Sequence, residues 1–143
     1  MVVTTKGRYA LRVMTDLAQH ADEGFVSLMT VSERQEISPK YLEAIAAALR
    51  KAGLIESSRG KEGGYRLCRE PAQYPVGEIL ASVEENLAPV ACMREDAVGC
   101  ERAEECRTLP MWRELDAIMK NYLDSVSLQD LLTGERWKRP DSP

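Results

Sequence analysis

Four cysteines are the residues of this chain best suited to chemistry. Three of them, Cys92, Cys100 and Cys106, fall in the stretch VACMREDAVGCERAEECRTLPMW, from Val90 to Trp112, with gaps of seven and then five residues. Glu95, Asp96, Glu101, Glu104 and Glu105 lie among them, Gly99 offers a turn, and Pro110 closes the segment. Such a stretch has too little apolar content to pack as a core. Carboxylates at this density are expected to raise thiol pKa values, because a second negative charge nearby is unfavourable. Thiols in that setting are poor spontaneous nucleophiles, but they become good ligands once a metal supplies the opposing charge. The elements that position this loop must come from the chain before and after it.

A chain of 143 residues is one domain, or one small domain with an extension. Hydrophobic residues make up 44% and aromatics only 6%, which supports a core built mainly by helices. No run of about 18 apolar residues occurs, so nothing is expected to span a membrane. The start, MVVTTKGRYALRVM, has no apolar signal core, and a cytoplasmic protein is expected. In that compartment clustered cysteines bind metal or sense redox state more often than they form structural disulfides. The net charge of −4 hides an asymmetry: residues 1–83 carry 11 Lys/Arg against 10 Asp/Glu, and residues 84–143 carry 8 against 13. The first part can therefore still present a basic face.

Residues 5–21 carry Tyr9, Ala10, Val13, Met14, Leu17 and Ala18 at helical spacing, with Lys6, Arg8 and Arg12 near the start. Cations there oppose the helix dipole, which suits a face that meets phosphates or simply a solvated one. His20, the only histidine, falls at the helix end as a surface or capping residue. Ser27 can cap a short helix from Leu28 to Gln35, and Ser38-Pro39 opens a third, with Pro39 at its first position. The third helix buries Leu42, Ile45, Ala46 and Leu49 and presents Lys40, Glu43, Ala44 and Ala47. Small residues allow close approach, a cation reaches phosphate or guanine, and a carboxylate accepts from cytosine. The pair forms a helix-turn-helix, or else a plain helical hairpin. After Gly53, residues 54–58 and 64–68 have strand character, and Arg59-Gly60-Lys61-Glu62-Gly63 makes a basic loop between them. A helix-turn-helix followed by such a hairpin is a winged helix, whose wing can place an Arg in the minor groove. The glycines do not form a nucleotide loop, since no GK[ST] follows.

The stretches TTKGRYALRVM, ISPKYLEAIAAALRKAGLI and SSRGKEGGYRL resemble the family of winged-helix transcription regulators typified by the iron–sulfur cluster regulator IscR, with NsrR, RirA and CymR as members. The likeness continues through Val76-Gly77-Glu78-Ile79, the cysteine loop, and Val126 to Leu131. Glu36 departs from it, where Gly or Asn is expected at the turn into the recognition helix. The resemblance implies a mainly α fold with a small β-wing. Residues 1–83 are the winged helix-turn-helix domain, and 84–143 carry the cysteine loop (92–106), a dimerisation helix at about 110–124, and a short final helix and tail. Met111, Leu115, Ile118 and Tyr122 make one apolar row on that long helix, and Trp112, Met119 and Leu123 a second. This is wider than one small domain needs, so a homodimer is expected.

For DNA, the expectation is a palindromic operator. Lys40, Glu43 and Ser38 face the major groove, Arg59 enters the minor groove, and Lys6, Tyr41 and Lys61 approach phosphates. In the resembling family three loop cysteines and a fourth, non-cysteine ligand hold an iron–sulfur cluster, which here points to Cys92, Cys100 and Cys106. Leu109 and Arg8 stand where relatives place the fourth ligand, so neither carries over. Asp96, Glu101, Glu104, Glu105, His20, or a thiol or water from solvent remain as alternatives. The RirA-like spacing favours [4Fe–4S] over [2Fe–2S]. Structural zinc, a cluster-free thiol switch and a loop without ligand are the competing readings, although zinc usually takes close C-x₂₋₄-C pairs. Cys68, at the end of the second wing strand, is expected to pack as a small apolar residue. An enzyme or electron-transfer protein is the rival class, but no general base or nucleotide motif accompanies the single His.

Overall fold

Thr4 accepts the Gly7 amide on its hydroxyl and so starts the first helix, α1 (Thr5–Gln19). The structure is a computed structural model that describes residues 3–60, 63–94, 101–138 and 140. Lys61, Glu62, Glu95, Asp96, Gly99 and Cys100 lie outside the described residues. α1 buries Ala10, Val13, Met14 and Leu17 and stops two residues before the expected end. His20 caps it: its amide and its ring Nδ1 both donate to the Asp16 carbonyl, at 3.2 and 2.8 Å. A 3₁₀ turn, Ala21–Glu23, follows in place of further α-helix.

α2 (Leu28–Gln35) and α3 (Pro39–Lys51) begin where their caps demand, with Ser27 accepting from the Thr30 amide and Ser38 from that of Tyr41. The turn between them is left-handed at Glu36, φ 55°, the one non-glycine positive φ among the described residues. The inward stripe of α3, Leu42, Ile45, Ala46 and Leu49, is fully buried. Gly53, at φ 76°, then turns the chain into β1 (Ile55–Ser57), which pairs antiparallel with β2 (Tyr65–Leu67), Ile55 opposite Leu67. Both strands are one residue shorter at each end than the sequence suggests. The Leu54 amide bonds back to the Leu49 carbonyl, and the Cys68 amide to the Tyr74 hydroxyl, so these positions are taken outside the ladder. Val26 adds one more antiparallel rung to Tyr65.

Tyr74 locks the wing to the body. Its buried hydroxyl accepts from the Cys68 and Arg69 amides and donates to the Leu54 carbonyl at 2.8 Å. α4 (Val76–Val83) packs on α1 and α3, and α6 (Leu128–Thr133), held by a Ser127–Asp130 capping box, brings Leu128 into the same core. Between them α5 (Leu109–Ser125) packs along α4, where its Leu123 meets the small cluster of Val76, Leu80 and Val126. No residue of α5 is buried within the single chain. No helix among the described residues is long and apolar enough to cross a membrane.

Candidate DNA interface and cysteine segment

The exposed side of α3 carries Lys40, Glu43, Ala44 and Ala47 beside the capping Ser38. Its composition follows from the geometry of the helix: with the i, i+3, i+4, i+7 positions inside, these residues must lie outside. Tyr41 is less free than the rest. It meets Tyr9 of α1 edge to face at 5.7 Å between ring centroids, and the Arg12 guanidinium lies 5.2 Å from the Tyr9 ring. Arg12 also donates to the backbone carbonyl of Gln35 and, at 3.1 Å, to its side-chain oxygen. Behind this, Asp16 is wholly buried and accepts from Arg34 and from Gln35 Nε2, each at 3.0 Å. The end of α2 and the turn into α3 are thus pinned to α1 by charge-assisted bonds. The sequence reading missed Asp16, although an acid set between Met14 and Leu17 on the apolar stripe was its signal.

In the wing, Arg59 is exposed beside Gly60, whose amide donates to Ser58 Oγ at 3.2 Å. Other wing cations are engaged internally. Arg66 pairs with Glu56 across the strands and lies 4.3 Å from the Phe25 ring centroid, and Arg69 makes two 2.9 Å bonds to Glu78. Lys61 falls outside the described residues. Lys6 is half-buried at the first turn of α1, lining a cavity of about 550 Å³ with Glu84, Asn86, Val90 and Ala91.

Cys92 is exposed on a 3₁₀ turn, Ala91–Met93, and Cys106 is half-buried three residues before α5. Cys100 lies outside the described residues, and among those described no three His, Cys, Asp or Glu side chains converge as a metal site. The acidic surroundings do not raise the Cys106 thiol as the sequence suggests. A bond with Thr108 Oγ1 at 3.4 Å, with help from the Thr108 and Leu109 backbone, holds its pKa below the ordinary thiol range. Glu104 and Glu105 are exposed, so water screens them, whereas the Thr108 bond is direct. Cys92 and Cys106 are both free thiols, and the Thr108 bond lowers the pKa of Cys106. Thiols are the donor type that suits a thiophilic group, such as an iron–sulfur cluster.

The expectation for Cys68 is corrected. It is exposed at the wing base and not packed in a core, because β2 ends one residue earlier and the backbone turns to reach Tyr74. Partial desolvation there, with Glu56 nearby, pushes its thiol up. His20 acts as the expected cap on α1. On α5, Met111, Leu115, Ile118 and Tyr122 form one row, 53, 37, 57 and 49% exposed.

The profile of the Rrf2 family, described as iron-dependent transcriptional regulators, matches residues 3–134. The regulator IscR of Aliivibrio salmonicida is 43% identical over 132 residues, 92% of this chain and 77% of the relative. Among solved structures, IscR of T. potens superposes with a TM-score of 0.73 at 38% identity, covering 99% of this chain and 94% of the other. CymR, the global cysteine regulator of B. subtilis, gives 0.75 at 36%, covering 94% and 98%.

Proposed function

Since the chain belongs to the Rrf2 family and is a DNA-binding winged-helix transcription regulator, not an enzyme, we propose that an iron–sulfur cluster on Cys92, Cys100 and Cys106 sets its affinity for DNA. The observation that carries this reading is the placement of two free thiols, Cys92 exposed and Cys106 bonded to Thr108, in the segment that feeds directly into α5. The likeness to IscR proteins supports it. The spacing of the cysteines favours [4Fe–4S]. When bound, such a group supplies iron reactive towards oxygen, nitric oxide or reductants.

The rest of the mechanism belongs to the chain's own residues. Residues 1–83 form the DNA-binding unit and 84–143 the sensing and dimerising one. Cys106 lies next to the start of α5, so fixing its thiol fixes the approach to that helix. α5 presents Met111, Leu115, Ile118 and Tyr122 to a second copy, and the resulting homodimer sets the distance between two α3 helices on a palindromic operator. Ser38, Lys40 and Glu43 then read base edges in the major groove, Arg59 enters the minor groove, and Lys6, Tyr41 and Lys61 hold phosphates. The protein works in the cytoplasm.

A second reading, a cluster-free thiol switch, is favoured by the depressed Cys106 thiol and the likeness to the cysteine regulator CymR. One experiment separates the two. Protein purified without oxygen is assayed for visible absorbance, iron and acid-labile sulfide, and operator affinity is compared with that of Cys100→Ala. Absorbance with matching iron and sulfide, lost in Cys100→Ala together with a change in affinity, supports the cluster. Colourless protein after anaerobic reconstitution overturns it and leaves the thiol switch.

A further inference from the structure

α1 has no acidic residue in its first turn, and Lys6 and Arg8 there oppose the helix dipole. The missing negative charge arrives from 80 positions away in the chain. The Thr4 amide and the Thr4 hydroxyl both donate to Glu84 Oε1, each at 2.8 Å, and Thr4 Oγ1 accepts from the Gly7 amide. Gly7 is buried inside the helix, and a Cβ built on it would lie 2.1 Å from Glu84 Oε1 and 2.9 Å from Val3 Cγ1. Glycine within a helix is unfavourable relative to alanine, so its presence here matches the need to admit this carboxylate.

Glu84 is also where α4 ends, its amide donating to the Leu80 carbonyl at 2.8 Å, and from it the chain runs on to Cys92. Thr4 and Lys6 at the start of α1 wall one cavity together with Val83, Glu84, Val90 and Ala91. Glu84 thus bonds the residue that starts α1 and lines the same cavity as Val90 and Ala91, at the base of the cysteine segment.

We propose that Glu84 is a positioning residue through which the cysteine segment sets the N-terminal turn of α1. A shift of residues 90–93 acts on a chain whose fixed end is Glu84, and Glu84 bonds the two groups that start the helix. The inference rests on the sensor reading above only for its DNA readout.

The test uses the full chain with Cys68, Cys100 and Cys106 replaced by Ser, so that Cys92 is the sole thiol. Exchange of the Thr4 and Gly7 amides with deuterium is followed by NMR, with Ile45 and Leu49 as core controls. Glu84→Ala should speed exchange at Thr4 and Gly7 at least tenfold and leave the controls unchanged. Gly7→Ala, which expels the carboxylate from the helix side, should do the same and serves if Glu84→Ala folds poorly. Alkylating Cys92 with N-ethylmaleimide should alter exchange at Thr4 and Gly7 at least threefold with Glu84 present, and should not do so in the Glu84→Ala chain. A mere helix cap gives the first effect without the second. The inference is overturned if Glu84→Ala leaves exchange unchanged, or if alkylation acts equally in both chains or in neither. In the natural four-cysteine chain, Glu84→Ala should bring the ratio of loaded to stripped operator affinity within twofold of one, with visible absorbance intact. A natural chain whose affinity ignores loading, while the exchange results hold, fails the sensor reading and leaves the role of Glu84 standing.

Discussion

Arg34 Nη2 donates to Asp16 Oδ1 at 3.0 Å across the junction of α1 and α2, and Asp16 is the one buried charged side chain among the described residues. Its other oxygen accepts from Gln35, the last residue of α2, and Gln35 in turn accepts from Arg12. Four side chains therefore hold the turn between α2 and α3, and a buried carboxylate is their common anchor.

Removing that anchor should cost more than a surface substitution. Asp16→Ala removes the buried acceptor shared by Arg34 and Gln35, and because the Arg34 side chain is 28% exposed and water can reach it, a loss of about 1–3 kcal/mol is expected. Arg34 keeps Glu23 at 3.6 Å, which places the figure below that for a fully orphaned buried charge. Asp16→Asn retains an acceptor and should lose about 1 kcal/mol. Urea denaturation reads both, and a change under about 0.5 kcal/mol in the alanine variant contradicts the anchoring role.

The turn itself carries strain that a single substitution can relieve. Glu36 sits at φ 55°, where a side chain disfavours the backbone by about 1–2 kcal/mol. Glu36→Gly removes that strain but loosens the unfolded chain, so a net gain of about 0.5–1 kcal/mol is expected. The denaturation midpoint should rise with the slope unchanged. A falling midpoint means that the Glu36 side chain makes compensating contacts.

These two residues mark how far the sequence could be read. Ser27 and Ser38 accept from amides three residues on and Pro39 fits the first helical position, so the starts of α2 and α3 were legible to the residue, as was the stripe from Leu42 to Leu49. The excess apolar row on α5 was legible too, because a helix period exposes it whatever the packing. Strand ends were not, since the Leu54 and Cys68 amides find partners set by tertiary folding. Nor was the acid missing from the first turn of α1, which comes from Glu84 far along the chain. The thiol at Cys106 misled for a related reason: one neighbouring hydroxyl outweighs several screened carboxylates, and sequence counts the charges without placing them.

The double bond pair between Arg69 and Glu78 ties the end of the wing to α4 and gives a pH signature. Arg69 holds the Glu78 carboxyl below its usual range, and Glu78 raises Arg69 in turn. A carboxyl depressed in the folded state stabilises fully above its unfolded pKa, and that contribution disappears as the pH falls through the lower folded one. Both side chains are about one-third or more exposed, so solvent limits the pair to about 1 kcal/mol or less. Glu78→Gln should therefore melt slightly below the parent chain at pH 7, and the two melting temperatures should converge in acid. A gap that persists below the folded pKa of Glu78 points to packing in place of charge.

The exposed row on α5 yields the sharpest test of assembly. Ile118 is 57% exposed in the single chain, flanked at helical spacing by Leu115 and Tyr122, while Leu123 secures α5 to α4 from another side. Ile118→Glu should accordingly leave the helix in place, with unchanged circular dichroism, and place a charge in the proposed dimer seam. Light scattering should give a mass near 16 kDa in place of twice that value. Losing the second half-site contact should weaken operator binding by about 10²-fold or more, because the linked halves no longer reinforce each other. The slope of log affinity against log salt should fall by roughly half, since half of the phosphate contacts go with the partner. A variant that keeps both its dimer mass and its salt slope shows that this row is not the seam.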